Sequence, residues 1–199
     1  MALPPATPRD EIHLRRIELR GYSRHDGLYD IEARMVDTKT SDLTLPEGRT
    51  LPAAEALHDM SIRIVVDEDL KVIDIVASTD ASPFDICTEA TATLQAMKGM
   101  RIAAGWSAAV RERLAGRKGC THLSELLTPL ATVAFQTLSQ RRQSQPTPVD
   151  ANGRPLKIDS CYAYASDREV VQRRWPVHYD GAEARPSDES DRGPTTSST

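Results

Sequence analysis

Met60-Ser-Ile-Arg-Ile-Val-Val66, then Asp67-Glu-Asp-Leu-Lys71, then Val72-Ile-Asp-Ile-Val-Ala-Ser-Thr79 is the stretch that decides the fold. Two runs rich in Ile and Val flank a short polar turn, the pattern of a β-hairpin. Upstream, residues 12–22 alternate loosely through Ile17 and Leu19. Residues 28–37 alternate through Tyr29, Ile31, Ala33 and Met35. With Asp26 and Gly27 as turn residues, they predict a second hairpin. Residues 38–53 carry Pro46, Gly48 and Pro52 and read as loop.

Downstream the period changes. Ser82-Pro83-Phe84-Asp85 looks like a helix start with Ser82 as N-cap and Pro83 at the first position. Ile86, Ala90, Leu94 and Met97 follow at helical spacing, and Gly99 ends the run. A short helix is expected from Trp106 to Leu114. The longest is expected over 121–142, with Leu123, Leu126, Leu127, Leu130, Val133, Ala134 and Leu138 on one stripe. Pro129 falls inside it and should kink it or divide off its first turns. Residues 143–155 read as a proline-rich linker. Residues 157–164 and 170–175 suggest a last pair of strands.

Segregated strands and helices argue for an α+β fold. The expectation is an antiparallel sheet with about three helices on one face and the 60–79 hairpin at its centre. The limits expected are a flexible leader over 1–11, one domain over 12–180 and a disordered tail over 181–199.

The chain has 199 residues, 39% hydrophobic and 27% charged, enough for a core without covalent staples. The net charge of -4 and pI of about 5.8 argue against nucleic acid as a partner. No apolar run approaches a membrane span, and no secretory signal is visible. Three widely spaced cysteines do not form a disulfide framework, so a reducing cytoplasm is the expected compartment.

Candidate chemistry centres on the thiols. Cys87 and Cys120 fall at expected helix N-termini, where unpaired N–H groups favour a thiolate, the form that ligates metals and attacks electrophiles. Arg117 and Lys118 precede Cys120, and His122 follows it. His58 and Asp59 lie just before the expected strand from Met60; as a loop pair facing solvent they would be inert, as ligands they would not. Cys161 reads as a strand cysteine. Arg101, Arg111, Arg113 and Arg117, opposed only by Glu112, would suit a small anionic ligand or simply form a solvated helix face.

His58-Asp59-Met60, Pro83-Phe84-Asp85-Ile86-Cys87, Gly105-Trp106, Gly119-Cys120-Thr121-His122-Leu123 and Asp159-Ser160-Cys161 together resemble a bacterial domain-of-unknown-function family, number 2889, over about 12–179. The Gly-Cys-Thr-His-Leu pentapeptide is the most specific part. The order of elements from His58 to about Arg142 is also similar to iron–sulfur scaffold proteins of the IscU and NifU type. There a cysteine loop enters a hairpin, a second cysteine opens a helix and a third opens the last helix. His58 stands here in place of the first cysteine.

Three functions compete. In the first, Cys87 and Cys120 with His58, Asp59 or His122 bind a metal, zinc or iron, or handle a metallocluster. In the second, Cys120 is the nucleophile of an enzyme with a histidine as base. In the third, the cysteines are core and the chain is a non-catalytic accessory or ligand-binding module, with a homodimer through the sheet edge or the kinked helix. The residues leave open whether the chain is an enzyme.

Overall fold

A computed structural model describes residues 3–46 and 48–181. The expected tail falls almost wholly outside the described residues. The chain divides into two compact units, Met1–Arg142 and Gln143–Thr199, with the boundary at the start of the proline-rich segment.

The first unit holds the sheet. Four long strands, β1 (His13–Ser23), β2 (Tyr29–Lys39), β5 (Ala56–Val66) and β6 (Val72–Ala81), pair antiparallel in the order β1-β2-β5-β6. Both expected hairpins are therefore present. They lie side by side, so β2 and β5 are the inner strands; the 60–79 hairpin contributes an inner strand and an edge rather than the centre. The expected loop over 38–53 is not wholly irregular, because Leu43–Thr44 (β3) and Thr50–Leu51 (β4) pair with each other. Asp67 closes the β5–β6 turn by accepting the Asp69 and Lys71 N–H groups, each at 2.9 Å.

Alternation sets the two faces of the sheet. Ile31, Ala33 and Met35 of β2 and Met60, Ile62 and Ile64 of β5 are buried on one face. Glu18, Arg20, Glu32, Arg34 and Arg63 line the other. The register places Met35 opposite Met60, and Ile31 opposite Ile64.

The helices cover the apolar face, giving the expected α+β architecture. In α1 (Trp106–Leu114), Trp106, Val110 and Leu114 are buried at fourfold spacing. Gly105 precedes it at φ 89°, a left-handed conformation that a side chain would strain. α2 (Thr121–Thr137) buries Leu123, Leu126, Leu127, Leu130, Ala131 and Ala134, close to the expected stripe. The Trp106 indole N–H donates to the Leu127 carbonyl at 2.9 Å and ties α1 to α2. α2 runs on across Pro129; the interruption comes at Leu138, before the short α3 (Ser139–Gln143).

The Ser82 segment departs from expectation. The helix is of the 3-10 type, spans Asp85–Met97 and has Phe84 as its N-cap. The Ser82 hydroxyl donates to the Phe84 carbonyl and caps nothing. Hydroxyls of Thr88, Thr91 and Thr93 each donate to the carbonyl three residues back, at 2.6–2.8 Å. Such local bonds compete with the α-helical ladder. With three residues per turn, Leu94 and Met97 share the buried side and Ile86 is left exposed.

Gly21 fixes how α2 lies on the sheet. A Cβ there would come within 1.8 Å of Thr137 Oγ1, so only glycine admits the end of α2. At the other end, Arg15 reaches Glu125. The six residues from Arg15 to Gly21 span about 20 Å of strand, and the twelve from Glu125 to Thr137 about 18 Å of helix. α2 therefore runs alongside β1 in the same direction, and its N-terminal turn arrives at the Arg15 end.

In the second unit the expected strand pair is absent. Lys157–Tyr164 forms turns and a 3-10 helix (Tyr162–Tyr164), and the Val170 segment is the short helix α4 (Glu169–Arg174). Both runs are brief and polar-rich, too short for periodicity to separate strand from helix. Among the described residues no helix is long and apolar enough to cross a membrane.

Candidate metal centre

The site grows from one row of the sheet. Arg15 on β1 stands opposite Asp37 on β2, and Asp37 stands opposite His58 on β5. All three share the face that carries the core, because Arg15 is in phase with Ile17 and Leu19, Asp37 with Met35, and His58 with Met60. Asp37 and His58 are the buried polar residues among the described residues of the first unit, 1% and 8% exposed.

Such a burial demands partners. Arg15 supplies them in a side-on pair: Nε to Oδ1 and Nη2 to Oδ2, both at 2.8 Å. His58 Nδ1 lies 2.9 Å from Oδ2. His13, two residues before Arg15 on the same face, brings Nε2 to 3.5 Å from Oδ1. The N-terminal turn of α2 closes the site. The His122 ring lies on the His58 ring with centroids 4.0 Å apart and planes tilted by 39°. Cys120 Sγ, at the N-cap of α2, is 3.9 Å from His122 Nδ1.

Burial alone would push the Asp37 carboxyl up. The bonds and charge of Arg15, joined by His58, outweigh it and hold Asp37 below the usual carboxylate range. His58 is pushed below its ordinary value, first by burial and then by His122, against the pull of Asp37. The pair therefore rests as a carboxylate beside a neutral imidazole at neutral pH. Neutral imidazole with Nδ1–H donated to Asp37 keeps a lone pair on Nε2.

Asp37, His58 and His122 each offer a donor atom, and these atoms lie within 4.8 Å of one another. The trio contains two of the expected ligands, His58 and His122, and one residue that the sequence reading passed over. Among the described residues, Cys87, Asp59 and Cys161 belong to no such group, and Cys120 adjoins it only through His122. His58 and Asp59 are not in a loop: both sit inside β5, and alternation sends them to opposite faces. Asp59 pairs there with Arg34 at 2.9 and 2.6 Å. Cys87 is half-buried in the 3-10 helix, and Cys161 is exposed, just before Tyr162–Tyr164. Of the basic segment, Arg101 bonds Asp69 and Arg113 the Ala96 carbonyl, and the flanking Lys98 and Lys118 bond Asp74 and the Glu112 carbonyl.

A signal for Asp37 and Arg15 does exist in the sequence. Each extends the inward phase of its own strand by one step, and a charged residue in that phase demands a counter-charge. Gly119 in the pentapeptide has a separate, packing reason: a Cβ there would stand 2.9 Å from the Leu114 carbonyl oxygen, where α1 ends against the start of α2.

No curated protein and no solved structure matches the chain, so the likeness to iron–sulfur scaffolds gains no support from the fold. One family model does match, over residues 13–136, which takes in the whole sheet, the site and nearly all of α2 but stops short of Asp159-Ser160-Cys161. On that match the chain belongs to the DUF2889 family, described as proteins of unknown function.

Proposed function

We propose that this protein binds a single divalent transition metal, zinc or ferrous iron, through Asp37, His58 and His122. The observation that carries the reading is the convergence of three donors from β2, β5 and α2 within 4.8 Å. His58 Nδ1 and Asp37 Oδ2, 2.9 Å apart, are near the separation of about 3.3 Å expected for two donors on one tetrahedral ion. The ion would take the place of the proton those two atoms share, and the neutral imidazole would carry that proton on Nε2 instead, with no net proton released. Two imidazoles and a carboxylate suit mononuclear zinc or iron better than a cluster, which is usually held by cysteines. Cys120 Sγ, 3.9 Å from His122 Nδ1, adds a thiol beside the trio.

The test is anaerobic purification of untagged protein, elemental analysis, and thermal unfolding with and without chelator. One equivalent of zinc or iron, absent from His58→Ala and His122→Ala, is the expected result. A metal-free protein whose melting temperature does not respond to added zinc or ferrous iron overturns the reading.

One observation favours a second reading. Cys120 Sγ stands 3.9 Å from His122 Nδ1 at the N-terminus of a 17-residue helix, the arrangement of a thiol with a neighbouring base. Under that reading the rate of Cys120 alkylation falls in His122→Ala; an unchanged rate removes it.

A further inference from the structure

Resting on the metal reading of this site, we infer that Arg15 sets its affinity: the guanidinium holds the second lone pair of the Asp37 oxygen that would ligate the metal, and its charge opposes a cation there until it moves onto Glu125. A carboxylate oxygen has two lone pairs in its plane. Those of Asp37 Oδ2 are engaged by Arg15 Nη2 at 2.8 Å and by His58 Nδ1 at 2.9 Å. A cation arriving at Oδ2 therefore meets two occupants, and they differ in how they can leave. The neutral imidazole changes tautomer, its proton passing from Nδ1 to Nε2, and so becomes a ligand without changing charge. The guanidinium keeps its charge at any accessible pH, so it can only repel the ion or withdraw.

The withdrawal has a built destination. Arg15 Nη1 already lies 3.2 Å from Glu125 Oε2. The Glu125 side chain is 56% exposed and that of Arg15 33%, against 1% for Asp37, so the movement is outward. Glu125 stands three residues after His122 on α2, a spacing that puts both on one side of the helix. The turn that supplies a metal donor thus also supplies the acceptor for the displaced cation. His13, 3.5 Å from Oδ1, is the other basic group facing Asp37.

The wild-type site is thereby weaker than its donor set alone would make it, and it fills only when the metal supply is high enough to displace the arginine. Loss of Arg15 should tighten binding, the reverse of what an arginine that merely orients Asp37 predicts.

The experiment is titration of full-length wild type, Arg15→Gln and Glu125→Gln with cobalt(II) under anaerobic conditions, followed by zinc displacement, reading the visible ligand-field bands. Arg15→Gln is expected to bind about tenfold or more tightly, and Glu125→Gln a few-fold more weakly, through the Coulomb repulsion removed or the acceptor lost. Equal or weaker binding by Arg15→Gln, with a wild type that binds, overturns the inference and leaves the metal reading standing. Absence of binding in wild type and both variants overturns the metal reading and the inference with it. Should Arg15→Gln fail to fold, Glu125→Gln decides alone: affinity equal to or above wild type overturns the inference.

Discussion

Asp37 and His58 face each other across the β2–β5 ladder, buried, with the imidazole Nδ1 2.9 Å from the carboxylate Oδ2. The pair sits at the end of an otherwise apolar column formed by Met35 and Met60, Ala33 and Ile62, and Ile31 and Ile64. Continuing that column with aliphatic residues would be cheaper for folding, because a buried charge seldom repays its desolvation even when it is paired. The retained charge is what makes this end of the sheet the place to look for function.

Breaking the pair should be costly. Asp37→Asn loses the two-bond contact with Arg15 and leaves the guanidinium without its carboxylate. Arg15 is partly solvated, so the expected loss lies between the values for exposed and for buried pairs, about 2–3 kcal/mol. Urea unfolding of the metal-free protein measures it, and a change under about 0.5 kcal/mol would place the Arg15 contact among exposed, unproductive pairs.

Stability should fall in acid in two steps. The folded-state pKa of His58 is lowered, so below the ordinary histidine value the unfolded chain binds a proton that the folded protein refuses. This contribution is complete above about pH 6.5 and is lost as pH falls through the lowered value. Asp37 is also lowered, so its contribution holds above about pH 3.9 and is lost further into acid. Denaturation midpoints from pH 8 to 3 in the presence of chelator, for wild type and His58→Gln, provide the check. The upper step should be reduced in the variant; identical curves would contradict the assignment to His58.

Gly21→Ala should be strongly destabilising for a surface strand position. The added methyl would overlap Thr137 Oγ1 and stand 2.9 Å from Thr137 Cβ. The threonine hydroxyl is itself held by the Val133 carbonyl at 2.8 Å. Overpacking of this kind costs about 1–3 kcal/mol. The double variant Gly21→Ala/Thr137→Ala should recover most of the loss, and a thermal melt of the three proteins compares them.

Leu123→Ala tests whether the α2 stripe is the core of the first unit. Leu123 is fully buried one residue past His122. The cost expected for such a truncation is about 2–5 kcal/mol. His122→Ala, at a half-buried neighbouring position, should change metal-free stability far less while abolishing any zinc-dependent rise in melting temperature. Parallel loss of stability in both variants would mean that His122 is a packing residue.

Much of the fold was legible in the residues. The 60–79 hairpin, the 12–37 hairpin, α1 and the α2 stripe all follow from hydrophobic period. The 3-10 helix did not, because Ile86, Ala90, Leu94 and Met97 satisfy an α-helical template while the threonine hydroxyls decide the local ladder. The segments around Lys157 and Val170 read as strands but fold as turns and short helices, because runs that short carry no distinguishing period. For the site, His58, Cys120 and His122 were visible as chemistry-bearing residues. Cys87 joins them as a thiol at an expected helix N-terminus and Asp59 as the neighbour of His58, and a one-residue step along β5 is enough to send Asp59 to the opposite face.

By itself the sequence determined the four long strands and the helical stripe, since these depend on local period and alternation. Only the tertiary structure decided that Arg15, Asp37 and His58 form one row and that His122 closes it. Strand order and register bring together residues 15, 37 and 58, and the glycine-permitted approach of α2 at Gly21 sets where residue 122 arrives. Those are long-range packing outcomes, determined by how whole faces bury against each other, and no local pattern encodes them.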